Sequence, residues 1–109
     1  MLREIKSPQR LPRQLHFHVD GTGTDSLVIG SKDAALVKNG TGDYTVTFAK
    51  PFARAAVAVG SVITAGSVLE IAACSATAVQ VLCKANTGGA AADSDFYLIV
   101  QGFDAADEY

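Results

Sequence analysis

Short runs in which apolar and polar residues alternate dominate the sequence. In the clearest run, Tyr44, Val46 and Phe48 alternate with two threonines. Successive strand residues point to opposite faces, so this pattern predicts a strand with one buried side. Turn residues such as Asn39-Gly40 separate the runs. The pattern predicts strands at 14–19, 26–30, 34–38, 43–49, 55–63, 67–74, 77–84 and 95–103.

These runs predict an all-β fold, because helix signals are nearly absent. The one helix-like segment, 31–40, is short and breaks at Asn39-Gly40. Seven to eight short strands at a spacing of roughly ten residues predict an antiparallel β-sandwich or jelly roll. A chain of 109 residues has room for one modest core. We expect an extended basic N-terminal arm at 1–13 and a single β-sandwich domain at 14–109.

Two segments have apolar residues on both faces. Phe96, Leu98 and Val100 share one side of the last strand, while Tyr97 and Ile99 share the other. The strands at 67–74 and 77–84, taken as a hairpin, show the same feature. One small sandwich would leave such a face in water, and a large exposed apolar patch usually marks an interface. We therefore expect a homo-oligomer with the interface candidates Leu69, Ile71, Leu82, Tyr97 and Ile99. The alternative is a wide core covered by the arm and loops.

The same hairpin sets the positions of the two cysteines. Closed around 75–78, it places Cys74 opposite Val79 and Cys83 opposite Glu70. The two sulfurs are then too far apart for a disulfide, which needs Cα atoms within about 7 Å. They are also too few and too separated for a zinc site. We expect two reduced, buried thiols.

Charge is unevenly distributed along the chain. Residues 1–13 hold four basic side chains and one acidic, whereas the remaining residues hold five basic and ten acidic. This asymmetry predicts a basic arm that docks on an acidic protein surface, with a solvated arm as the alternative. The acidic body would repel phosphate, so nucleic acid is not an expected partner. Neither a membrane span nor a secretion signal is recognisable, and we expect a soluble intracellular product.

Candidate chemical groups are few. His16 and His18 lie on one face of a strand and could offer two metal ligands, but no third ligand is identifiable. At a contact between subunits they would make that contact sensitive to pH near 6. The segments 20–25 and 39–43 have calcium-type oxygens, but turns explain their glycines. No phosphate-binding loop or nucleophile motif occurs, so we expect neither an enzyme, a metal nor a cofactor.

Residues 38–104 resemble small β-sandwich modules of tailed-bacteriophage virions. The resemblance rests on "GDYTVTFAKPFARAAVAV", on "SVLEIAACSATAVQVLCK" and on the closing "DSDFYLIVQGFD". Similar strings occur in capsid decoration (cement) proteins and in tail-fibre tips. That pattern usually has a proline where this chain has Ala55-Ala56. The resemblance implies a trimeric sandwich or jelly roll without catalytic residues.

The expected function is therefore structural. We expect a homotrimer that is made in the host cytoplasm and stabilises the outer surface of a phage capsid. Because the chain runs from Met1 to Tyr109 without room for a shaft, a free-standing subunit is expected. Its arm would anchor on the major capsid protein through Leu2, Arg3, Ile5, Lys6, Arg10, Leu11 and Arg13. The alternative is a receptor- or carbohydrate-binding tip of a tail or head fibre, acting through loops 20–25, 39–43 and 86–95.

Overall fold

A computed structural model describes residues 12–104, and these form an all-β structure. It has eight strands in two four-stranded antiparallel sheets, which confirms the predicted β-sandwich. Each predicted strand is present, with ends displaced by at most two residues. The strands are β1 (Arg13–Asp20), β2 (Ser26–Ile29), β3 (Ala34–Gly40), β4 (Asp43–Phe48), β5 (Val57–Val62), β6 (Ser67–Cys74), β7 (Ala78–Ala85) and β8 (Phe96–Gly102).

The two sheets are built from hairpins and one long return. Sheet I has the strand order β2-β1-β8-β5, and sheet II has the order β3-β4-β7-β6. Hairpins join β1 to β2, β3 to β4 and β6 to β7. The last strand, β8, returns between β1 and β5 and pairs with both. The central strands are therefore β1 and β8 in sheet I, and β4 and β7 in sheet II.

The core lies between the sheets and comes mainly from these central strands. Each contributes three alternate side chains that are almost fully buried, and together they are Leu15, Phe17, Val19, Tyr44, Val46, Phe48, Val79, Val81, Cys83, Phe96, Leu98 and Val100. Burial of one Val, Leu or Phe side chain stabilises the fold by about 1.5–3 kcal/mol. The alternation read from the sequence for β4 and β8 is thus the alternation of the core.

A β-bulge in β6 changes one of the predicted faces. Ile71 pairs with Val81, but the next pair is Ala73 with Gln80, so Ala72 is an extra residue. As a result Leu69 and Ile71 pack against the core. Their predicted outward placement is wrong, because the extra residue shifts the alternation by one position.

The same bulge changes which residue lies opposite Cys83. Cys74 lies opposite Val79, as predicted, but Cys83 pairs with Leu69 and not with Glu70. Both thiols are free, with Cys83 buried and Cys74 half-buried. Burial raises the pKa of Cys74 and raises that of Cys83 to about 11, so both remain protonated at neutral pH.

Leu69 fits between the sheets because β5 has small residues on its inner side. A Cβ atom on Gly60 would lie 3.0 Å from Leu69 Cδ2. Ala58 and Gly60 pair with Val100 and Leu98, whose side chains are buried, so they too face inward. The larger side chains of β5 consequently point outward.

The edges of the two sheets differ in how they are protected. Among the edge strands, β2 has only four residues, and β2, β3 and β6 each pair through a register shift. β5 pairs with β8 over all six of its residues without a shift. It also contains no charged residue and no proline. The outer edge of β5 is therefore the least protected of the four.

Arg13, the last residue of the predicted arm, belongs to a strand of the sandwich. Arg13 is the first residue of β1, and its guanidinium lies 4.1 Å from the centre of the Phe52 ring. The same group donates to Asp104 Oδ1 at 2.9 Å and to the Lys50 carbonyl at 2.9 Å. The other predicted anchoring residues, from Leu2 to Leu11, lie outside the described residues. Within 12–104 there is no helix that could cross a membrane.

Candidate functional site

The outer side of sheet I carries large apolar side chains that no described residue covers. We term this surface the open face, and it consists of the outward side chains that form three rows across β1, β2, β5 and β8; Asp20, at the end of β1, lies outside these rows. Its large apolar residues are 39 to 66% exposed, and they are Ile29, Val57, Val59, Tyr97 and Ile99. Few monomeric proteins expose so continuous an apolar surface without using it.

Strand register arranges the open face in rows across the sheet. The rows are Ile29–His18–Tyr97–Ser61, then His16–Ile99–Val59, then Gln14–Gln101–Val57. Side chains in one row are cross-strand neighbours, close enough for contact. Open grooves run between the rows, one beside Val59 and another between His16 and Ile29.

Two pairs of polar side chains on the open face contact each other. The His18 and Tyr97 rings lie 4.9 Å apart at a tilted angle. Gln14 Nε2 donates to Gln101 Oε1 at 2.8 Å. None of the side chains in the three rows belongs to Lys, Arg, Asp or Glu. The open face is thus an uncharged, mostly apolar surface with two imidazoles in it.

The outer side of sheet II has a different character, and we term it the polar face. Asp43 Oδ1 accepts hydrogen bonds from Asn39 Nδ2 at 3.1 Å and from Gln80 Nε2 at 2.9 Å. These bonds hold the pKa of Asp43 below its usual range, with the Gln80 amide as the largest cause. Lys84 and Glu70 form an exposed ion pair at 3.0 Å. A network of polar side chains therefore covers the central strands of this sheet, while Val37 on β3 and Val68 on β6 are exposed on its edge strands.

The structure separates the five predicted interface residues. Tyr97 and Ile99 lie together on the open face. Leu82 is half-buried in β7 and pairs with Asp43 and Glu70, on the other sheet. Leu69 and Ile71 are inside. An interface role for these residues stays a prediction.

Sequence reasoning missed three residues of the open face, Ile29, Val57 and Val59. The signal in β5 was the alternation of valine with Ala58 and Gly60, which placed the small residues inward and the valines outward. The assumption that the larger residues of a strand point into the core would wrongly place these valines inside. β2 is too short to show a period.

Loops from both sheets meet at one end of the sandwich. Asp95 Oδ1 accepts from the backbone N–H groups of Gly21 and Thr22, each at 3.0 Å. Asp20 binds the N–H groups of Gly23 and Thr24 within its own turn, and these bonds lower the pKa of Asp20, chiefly through Thr24. The aspartates here fix the conformation of the loops.

Asp93 joins this end of sheet I to sheet II. It accepts from Lys38 Nζ at 2.8 Å and from the Gly42 N–H at 2.8 Å. The Lys38 ammonium is the largest cause that lowers the pKa of Asp93. The Tyr44 hydroxyl, buried nearby, donates to the Gly21 carbonyl at 3.1 Å.

In these loops the sequence predicted turns and no metal, and the alternative function placed receptor or carbohydrate binding there. Within residues 12–104, no group of three or more His, Cys, Asp or Glu side chains gathers in a way that could hold a metal ion. At this end Tyr44 and Phe96 are fully buried. Sugar-binding sites commonly use exposed aromatic rings, and the exposed Tyr97 ring lies on the open face instead.

Fold and surface together define a class: an all-β sandwich with one mostly apolar outer face, whose three rows lack Lys, Arg, Asp and Glu, and one outer face with a polar centre. Comparison with known protein families, with curated proteins and with solved structures finds no match. The open face is therefore the observation from which a function is argued.

Proposed function

We propose that the protein is a structural subunit of a phage virion that decorates the capsid exterior as a homotrimer. The open face is the observation that carries this proposal. Contact between water and a large, continuous apolar surface is unfavourable, and association with another surface removes this contact. The resemblance of residues 38–104 to capsid decoration modules is the reason for proposing the capsid exterior as the place of assembly.

The size of the open face suits an assembly contact. Burial of one Val, Ile or Tyr side chain contributes about 1.5–3 kcal/mol. The five residues are only 39 to 66% exposed, so each gains part of this amount, and their sum is comparable with the lower part of the roughly 4–15 kcal/mol lost in translational and rotational freedom. In a trimer, three sandwiches place their open faces towards a common axis, and the polar faces remain in solvent.

The arm supplies the second contact, with the major capsid protein. Residues 1–11 carry three basic side chains and three large aliphatic ones, Leu2, Ile5 and Leu11. Acidic groups and apolar pockets at the joints between capsid subunits would bind this combination. Three arms on one trimer bind with high effective concentration, so individually weak contacts combine into firm attachment. Arg13 is left out of this set, because it is bound to Asp104 and Lys50.

The composition of intact particles tests this function. Particles are purified from a culture that produces the phage encoding this chain, and the copy number of the protein is measured by quantitative mass spectrometry. We expect a copy number comparable to that of the major capsid protein. A protein found in the cell lysate but absent from purified particles contradicts the proposal.

A deletion separates the two contacts. Full-length protein and a variant lacking residues 1–11 are each mixed with undecorated heads and sedimented. We expect the variant to keep the oligomeric state of the full-length chain and to lose most of its binding to heads. Equal binding by both forms would show that the arm is not the anchor.

A further inference from the structure

We infer that a second copy of this chain docks on the open face, and that protonation of His16 and His18 weakens this contact. The inference rests on the proposed function, because it identifies what covers the surface that carries it. It adds that the contact between copies depends on pH.

The absence of charge from the open face favours another copy as its occupant. When copies meet at a common axis through the same face, a charged patch on that face would bring like charges close together. The described rows of this face hold no Lys, Arg, Asp or Glu, so two copies meet without that repulsion. A charged partner would find no complementary charge on it.

The area of the open face fits a weak, reversible contact between copies. Strands of eight, four, six and seven residues, at about 3.3 Å per residue and spaced about 4.8 Å apart, give a footprint of roughly 400 Å² on each copy. Two such faces bury roughly 800 Å² in total, which is in the range of weak, transient interfaces. Side chains that project from the sheet increase this area.

Both histidines of the chain lie on this one surface. The chain contains two histidines, and they are two residues apart on the outward side of β1. His18 lies between Ile29 and Tyr97, and His16 lies beside Ile99. Histidine is the side chain that ordinarily changes charge between pH 5 and 8. Protonation of histidine in that range would therefore place positive charge on the open face.

The groups around the histidines do not compensate a positive charge. On β8, the neighbour on one side, the outward residues are Tyr97, Ile99 and Gln101. β2, on the other side, has no titratable residue. The carboxylate of Asp20, two residues after His18 on β1, is bound to the N–H groups of Gly23 and Thr24. Protonated imidazoles would thus be buried in an apolar contact without a carboxylate partner.

The direction of the pH effect follows from linkage. Burial in a contact disfavours the charged imidazole, so the associated state binds fewer protons than the free chain. Association is then strongest above about pH 7 and weakens as the pH falls below about 6. For each histidine, the dissociation constant rises by up to about tenfold per pH unit below this range. We expect at least a tenfold increase between about pH 7.5 and about pH 5.5.

Sedimentation velocity tests this inference with the full-length chain. Wild-type protein and a double variant, His16→Asn with His18→Asn, are measured at about pH 7.5, 6.5 and 5.5 in the presence of EDTA. Asparagine is polar and cannot take up a proton here. We expect the wild type to dissociate as the pH falls and the double variant to stay associated. Far-UV circular dichroism verifies that each sample is folded.

A chain that is monomeric at every pH would overturn the second copy as occupant. A wild type equally associated at all three pH values would overturn the role of the histidines, as would an unchanged pH response in the double variant. A second pair of variants, His16→Gln and His18→Gln, repeats the test if the double asparagine variant does not fold. The copy number in purified particles tests the proposed function alone. If the chain forms a pH-dependent oligomer but is absent from particles, the proposed function is wrong and the present inference stands.

Discussion

The two outer faces of this sandwich are built on equivalent strands and are chemically opposite. β8 in sheet I and β4 in sheet II are both central strands with three fully buried inward side chains. On the outward side, β8 presents Tyr97 and Ile99, whereas β4 presents Thr45 and Thr47. Because the same inward pattern supports both, the core does not require the apolar choice in β8.

This difference separates what the fold needs from what assembly needs. Around Asp43, the polar face satisfies its own groups through hydrogen bonds to Asn39 and Gln80. Across the rows of the open face, the hydrogen bond between Gln14 and Gln101 lies among side chains that gain most from leaving water. We therefore expect substitutions on the open face to change association and substitutions elsewhere to change stability.

The largest expected effect comes from a charge placed in the centre of the open face. Ile99→Lys puts an ammonium group where our proposal buries an isoleucine, and an unpaired buried charge costs several kcal/mol. We expect a loss of association of about 100-fold or more, measured by analytical ultracentrifugation at neutral pH.

Thr47→Lys is the matched control for this variant. Thr47 is exposed on the central strand β4, at an outward position of the polar face. We expect the Thr47→Lys variant to associate as strongly as the wild type. Equal loss of association in both lysine variants, or no loss in Ile99→Lys, would contradict a special role of the open face in association.

A second variant tests the inward position of Leu69. Leu69 packs against the core and over Gly60, so Leu69→Ala leaves a cavity between the sheets. We expect a loss of about 2 kcal/mol in the free energy of unfolding, measured by urea denaturation, with no change in oligomeric state. The neighbouring Val68 is 47% exposed, and Val68→Ala should cost less than about 0.5 kcal/mol. Equal costs for both would place Leu69 outside the core.

The smallest effect concerns the response of the polar face to acid. The pKa of Asp43 is lowered by Gln80 and Asn39, so its contribution to stability is present above the unfolded pKa of about 3.9. That contribution is lost as the pH falls through the folded value. We expect Asp43→Asn to lower Tm slightly at about pH 5 and to flatten its decline towards about pH 2.5. The control is Asp33→Asn at an exposed turn, and a decline unchanged by Asp43→Asn would contradict the assignment.

The sequence predicts the strands of this fold well because alternation and turns are local properties. Tyr44, Val46 and Phe48 alternate regularly, and their burial follows directly. The segment Ile71-Ala72-Ala73-Cys74 breaks this regularity, since its inward residues are Ile71 and Cys74. The double alanine was the available sign of a bulge. Small residues fit either face, so the sign was ambiguous.

The candidate site is predictable only in part. Tyr97 and Ile99 are recognisable, because β8 has large apolar residues on both sides. Ile29, Val57 and Val59 join them only through the pairing of β1 with β2 and of β5 with β8, which are non-local in sequence. The meeting of the loop ends through Asp93 and Asp95 depends on the same long-range order.

The unguarded edge of β5 has a consequence for handling the protein. No strand among residues 12–104 pairs with the outer edge of Val57–Val62, and an uncharged edge strand of this kind can template the addition of other strands. Concentrated solutions should therefore tend to form thioflavin-binding fibres over time. A lysine in place of Ser61 would act as a gatekeeper and delay their onset.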